Sequence, residues 1–174
     1  DINFTDGINV TKSNFLLDGN GYSIDGNGKA RIFNITGNNV TLKNLIIKNA
    51  LNGAVSFVQP NAEYYLDNVT IQNSSSKYDS GGIELNATNL VVNNSKFISN
   101  TGTKSSDIFF NEKCNVIVVN STFEGGIESK WSHIYFSGGA LIVDGSTFAN
   151  SRSSYANAIY GEDGFRILDW LSAM

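Results

Sequence analysis

The segment Asn39 to Asn49, Asn-Val-Thr-Leu-Lys-Asn-Leu-Ile-Ile-Lys-Asn, returns along the chain at a nearly constant interval. Altered copies lie at Tyr64 to Asn73, Leu90 to Asn100, Val116 to Gly125 and Leu141 to Asn150. An earlier copy lies at Phe15 to Tyr22 and a weak one at Phe165 to Leu171. Aligned on the second apolar residue, the copies give Leu17, Leu42, Leu66, Val92, Val118, Val143 and Ile167, in steps of about 24 to 26 residues. Within each copy apolar and polar residues alternate, the pattern of a strand with one buried face. A unit this short cannot bury that face alone, so it must stack on its neighbours as a solenoid.

The expected fold is therefore all-β. It is a right-handed parallel β-helix solenoid of about seven coils of three short strands, forming one domain over residues 1–174. Residues 164–174 form an atypical C-terminal coil or cap. Right-handedness follows the rule for parallel crossovers. The inward pairs of the first strand are Ile8/Val10, Phe33/Ile35, Val55/Phe57, Ile83/Leu85, Ile108/Phe110, Ile134/Phe136 and, less clearly, Ile159/Gly161. The second strand offers Phe15/Leu17, Val40/Leu42, Tyr64/Leu66, Leu90/Val92, Val116/Val118, Leu141/Val143 and Phe165/Ile167. The third offers Tyr22, Leu45/Ile47, Val69/Ile71, Phe97, Phe123 and Phe148.

Two residues past each second strand stand Gly19, Asn44, Asn68, Asn94, Asn120, Gly145 and Asp169. Gly and Asn tolerate positive φ and Asp is enriched there, so a bend is expected in every coil. Asn44, Asn68, Asn94 and Asn120 are expected to stack as an amide ladder at the strand spacing. The clusters Asp18-Gly19-Asn20-Gly21 and Asp25-Gly26-Asn27-Gly28 lack the ligand spacing of known calcium loops and are read as turns.

The run from Asn14 to Leu45, with Leu17-Asp18-Gly19-Asn20-Gly21, Ile24-Asp25-Gly26-Asn27-Gly28 and Phe33-Asn34-Ile35-Thr36-Gly37-Asn38-Asn39-Val40-Thr41-Leu42-Lys43-Asn44, closely resembles the opening of β-helix regions in adhesin-like surface proteins of methanogenic archaea. The later coils match only a generic β-helix repeat, with Asn-Ser-x-Phe at Asn94 to Phe97 and Asn120 to Phe123. The resemblance implies an extracellular, cell-surface β-helix of the pectate-lyase-like kind. It carries over no catalytic residue.

Other features narrow the function. Charged residues are 16% of the chain and the net charge is −4 with no basic run, which argues against nucleic acid. No apolar stretch is long enough to span a membrane. The chain opens on Asp1 and carries no signal peptide, which points to a processed product or a piece of something longer. Cys114 has no second cysteine to bond, and no evident base accompanies it. The loops between third and first strands, Asn73 to Gly82, Ser99 to Asp107, Gly125 to His133 and Asn150 to Asn157, vary in length and hold most of the unusual side chains.

Counted back from the first strand, Asp79, Lys104, Lys130 and Tyr155 form a column, with Trp131 beside it and Phe109 and Tyr135 as a floor. Two lysines stacked in such a column require an anion or carboxylate between them, and Glu128 or Asp107 is the nearest intramolecular choice. These seven residues are the candidate ligand-binding site; the plainer reading is that the aromatics pack beneath their own loops. His133 is read as a loop residue without a partner. Asp79, Glu84 and Asp107 stand as a weak carboxylate cluster with Lys104 nearby. No catalytic or metal-binding set is assigned and no cofactor is expected.

The expectation is a non-enzymatic adhesin-like or stalk module that binds a glycan or cell-surface protein and is capable of end-to-end self-association. The alternatives are a structural subunit of an extracellular filament and, less favoured, a polysaccharide lyase-like or hydrolase-like enzyme. Trp170 and Leu171 are the residues expected to cover the last coil.

Overall fold

The computed structural model describes residues 2–3, 6–111, 113–162 and 166–169. The chain winds into a right-handed parallel β-helix of about six turns. A seven-stranded sheet stacks the first strands: Ile8–Val10, Phe33–Ile35, Val55–Phe57, Ile83–Leu85, Ser105–Phe110, Ser132–Phe136 and Ile159–Gly161. A twelve-stranded sheet stacks the second and third strands, which run on without a break in Val40–Lys48 and Glu63–Gln72. All pairings are parallel, and the aligned column Leu17, Leu42, Leu66, Val92, Val118 and Val143 is in direct register.

The core is a set of columns running along the rod. Phe97, Phe123 and Phe148 stack with ring centroids 4.7 Å apart at each step, and Phe110 stacks on Phe136 at 4.9 Å. Stacking follows from the fold: equivalent inward residues in adjacent coils lie one strand spacing apart, which matches offset ring packing.

Three expectations are corrected. Tyr22 does not point inward but is 62% exposed, and Ile24 takes its place in register with Ile47. The cause is a wider corner in the first coil: Asn20 and Gly21 take the positive φ, while Gly19 does not. Gly19 is glycine for space, since a Cβ there would lie 2.7 Å from the Asn44 carbonyl oxygen. In the last coil the second strand, Arg166–Asp169, pairs two residues further on than expected, with Ile167 beside Leu141 and Asp169 beside Val143. Asp169 is therefore part of the strand rather than the bend. Phe165, Trp170 and Leu171, and with them the expected cap, lie outside the described residues.

Asn44, Asn68, Asn94 and Asn120 all adopt φ between 47° and 52°, so the bend recurs as expected. Its amide relay is shorter than expected. Asn68 Nδ2 donates to Asn44 Oδ1 at 2.9 Å, and Asn44 Nδ2 donates to Asp18 Oδ1 at 3.0 Å. Further along the rod, the next residue of the corner does the work. Ser95, Ser121 and Ser146 each donate Oγ–H to the carbonyl two residues back and accept an amide N–H from the preceding coil. Each hydroxyl thus satisfies a backbone donor and acceptor left over where the strand breaks.

The amide stacks share one direction. Asn34 donates to Asn9, Asn39 to Asn14, Asn49 to Asp25, Asn93 to Asp67, Asn111 to Asn86 and Asn115 to Asn89, always toward the earlier coil. Three of the stacks end on Asp18, Asp25 or Asp67, side chains that only accept. Lys43 and Lys48 pair with the second oxygens of Asp18 and Asp25.

Candidate functional site

The outer face of the first-strand sheet changes character along the rod. Its outward column runs Asn9, Asn34, Ser56, Glu84, Phe109, Tyr135 and Tyr160 in register. At the polar end Arg31 donates to Glu84 at 3.1 Å and to the Asn52 carbonyl at 2.9 Å. At the far end the column becomes aromatic, and the loops add Trp131 and Tyr155 beside it.

The rings form one cluster. Phe109 stacks on Tyr135 at 5.3 Å, and Trp131 stacks on Tyr135 at 5.3 Å and on Tyr160 at 4.5 Å. Tyr155 lies 4.3 Å from Trp131 and is 61% exposed, whereas Phe109 and Tyr135 are 8% and 7% exposed. The faces of Trp131 are thus taken up by other rings, and Tyr155 offers the open aromatic surface. Burial, followed by a hydrogen bond to Glu162, pushes the Tyr135 hydroxyl up to about 12, so it stays a donor at any ordinary pH.

Of the column Asp79, Lys104, Lys130 and Tyr155, the structure brings the first two together: Lys104 Nζ lies 2.6 Å from Asp79 Oδ1 and 4.0 Å above the Phe109 ring. The two lysines take different partners. The register shifts between Ser105 and Ile108, and the Lys104 carbonyl accepts from Trp131 N at 3.1 Å. Lys130 Nζ instead sits 4.7 Å from the Trp131 ring and 5.9 Å from that of Tyr155. The carboxylate that compensates Lys104 is Asp79, not Asp107. The side chain of Glu128 lies outside the described residues.

The loops are more ordered than the sequence indicates. Ser75–Ser76 pairs with Thr101–Gly102, and Ile127–Ser129 pairs with Arg152–Ser153, in two further two-stranded sheets.

Asp107 and His133 are both fully buried and in contact through Asp107 Oδ2 and His133 Nδ1. This overturns the reading of His133 as a loop residue without a partner. Ser106 Oγ donates to the same carboxylate oxygen at 3.0 Å, and Asn100 Nδ2 donates to the other at 2.8 Å. Asn100 Oδ1 accepts from Ser74 N at 3.0 Å, and His133 Nε2 faces the Ala149 carbonyl at 3.3 Å. The result is a polar thread through the interior from Ser74 to Ala149. A serine, an aspartate and a histidine meet here, each within reach of the other two, with Ser106 Oγ 3.3 Å from His133 Nδ1, and all three are sealed from solvent.

The three carboxylates weighed as a cluster do not converge, because Asp79 holds Lys104, Glu84 holds Arg31 and Asp107 is internal. Among the described residues no group of three His, Cys, Asp or Glu is placed to hold a metal ion. Cys114 is buried, and burial raises its thiol above the ordinary range. No helix among the described residues is long and apolar enough to cross a membrane. No family model, curated protein or solved structure matches the chain.

Proposed function

We propose that this chain is an extracellular, cell-surface module, adhesin-like or part of a stalk, in which a rigid β-helix holds an aromatic ridge for non-covalent binding of a glycan or protein partner. The observation that carries this reading is the ring cluster of Phe109, Tyr135, Trp131 and Tyr160, which ends in the exposed face of Tyr155 with the Lys130 ammonium beside it. An open phenol face accepts the C–H face of a sugar ring or an apolar side chain. The neighbouring ammonium donates to a hydroxyl or a carboxylate. Because the rings are already packed, binding orders little that was free, and weak contacts add up when many copies share a surface. The resemblance of the Asn14 to Leu45 run to adhesin-like proteins supports the same reading.

Trp131 is a poor probe of this site, since its removal breaks stacking with three other rings. The informative variant is Tyr155→Ala combined with Lys130→Ala, both at exposed positions. Isothermal titration against a panel of soluble neutral and acidic oligosaccharides, with a cell-adhesion assay alongside, tests it. Loss of binding with an unchanged melting temperature is the expected result. Wild-type protein that binds neither glycans nor cells, or binding untouched by the double substitution, overturns the assignment.

A further inference from the structure

On the outer face of the twelve-stranded sheet the second strands present Leu16, Thr41, Tyr65, Val91, Ile117 and Ile142 in direct register. Leu16 is 56% exposed and the other five are partly exposed. A shallow cavity of about 240 Å³ opens over Tyr65, Val91 and Ile117, rimmed by Glu63, Asn89 and Asn115. Outward strand positions in a solvated sheet are ordinarily polar, so an apolar column of this kind marks a contact surface.

We propose that this face packs against the same face of a second copy, about a two-fold axis that lies parallel to the strands and passes through Val91. Two flat sheets pack face to face with strand directions nearly aligned. Such an axis keeps each residue's position along the strand and reverses the order of the coils. Val91 then meets Val91, Tyr65 of each copy meets Ile117 of the other, and Thr41 meets Ile142.

The flanks decide the arrangement. One flanking column runs Asp18, Lys43, Asp67, Asn93, Val119, Asp144, with Lys43 Nζ also 3.1 Å from Asp18 Oδ2, and the other runs Glu63, Asn89, Asn115, Ala140. Under the proposed axis Lys43 of each copy faces Asp144 of the other, Asp67 faces Val119, Glu63 faces Asn115, and both Asn89 and Asn93 face themselves. Opposite charges meet twice and like charges never meet. A two-fold axis along the rod instead sets Asp67 of each copy against Glu63 of the other, a repulsion repeated twice. The charge pattern therefore fits a second copy with its coils reversed.

The patch measures roughly 19 Å along the rod and 13 Å along the strands, small beside a standard interface. The pair is thus expected to be weak, forming over roughly 10 to 500 µM.

Sedimentation velocity across that range tests the proposal. The wild-type chain is expected to rise from the mass of one chain toward two. Ile117→Glu, an outward substitution whose effect on the fold is checked by melting temperature, is expected to remain at one. Asp144→Lys alone and Lys43→Glu alone each bring like charges together twice and are expected to weaken the pair at least about fivefold. Mixing these two variants restores opposite charges at both contacts and is expected to recover the dimer. Three results overturn the proposal: a wild-type chain of single mass throughout, a dimer indifferent to Ile117→Glu, or a mixture no tighter than its components. A monomeric chain that co-sediments with an insoluble polysaccharide through Ile117 also overturns it and gives the face another occupant.

Discussion

Replacing Asn68 with alanine and, separately, Asn94 with alanine isolates the value of one side-chain amide in the stack. The two residues share a setting: both are exposed and hold the same corner, at φ of 52° and 47°. Their side chains differ in one bond. Asn68 donates to Asn44 Oδ1 at 2.9 Å, and among the described residues no equivalent bond joins Asn94 to Asn68. Alanine at positive φ costs about 1 kcal/mol at either corner. Asn68→Ala loses in addition one exposed neutral hydrogen bond, about 0.5–1 kcal/mol. The expected losses are therefore about 1 kcal/mol for Asn94→Ala and about 1.5–2 kcal/mol for Asn68→Ala. Urea unfolding followed by circular dichroism measures both, with the slope of the transition checked for unchanged cooperativity, since solenoids can unfold coil by coil. Equal losses, or a larger loss at Asn94, refute the account of the stack.

Asp25 is held below the usual carboxylate range first by the Asn27 amide and then by the Asn49 side chain. A depressed folded value stabilises the fold above the unfolded pKa and is lost as pH falls through the folded one. Thermal unfolding between about pH 2 and 7 should therefore show a shallower acid limb for Asp25→Asn than for wild type. Asp107→Ala removes the carboxylate between Asn100 and His133 where water does not reach. It is expected to cost about 3 kcal/mol or more in chemical denaturation, and a loss under about 1 kcal/mol counts against a structural role for the thread.

The sequence specifies the coil wherever the alternation is strong. The inward columns from Phe15 to Val143 follow from one alignment, because a slip of one residue would turn each strand inside out. It loses the register at Ile167, where the repeat is weak and a shift of two residues keeps the same face inward. The first corner misleads because Gly19 looks like a bend glycine, yet it is small only because the Asn44 carbonyl passes close by. The serine relay was hidden in plain composition, since Ser95, Ser121 and Ser146 are ordinary corner residues until their spacing is considered.

For the candidate site, the alignment brings Phe109 and Tyr135 together but cannot say which ring covers which. The register shift between Ser105 and Ile108 is invisible in the repeat, and so are the separate partners that Lys104 and Lys130 take. The pairing of Asp107 with His133 escapes the alternation, which turns a residue just before an inward isoleucine outward, and its signal lies in a column instead. Each residue precedes the first inward isoleucine of its strand, a column occupied below by buried Ile32, Ala54 and Gly82. Side chains placed there point inward, and a buried acid beneath a buried base must meet.

The one-way amide stacks set a grammar for copying coils. Asparagine both gives and receives, so a duplicated coil bearing Asn44 or Asn68 can be spliced between its neighbours and the relay reads through. Aspartate only receives. A duplicate of the coil bearing Asp18, inserted higher up, would accept from the coil above and offer nothing to the coil below, so the relay would restart there. A rod of this kind lengthens by repeating its middle, and each internal Asp, such as Asp67, marks a place where a new stack begins.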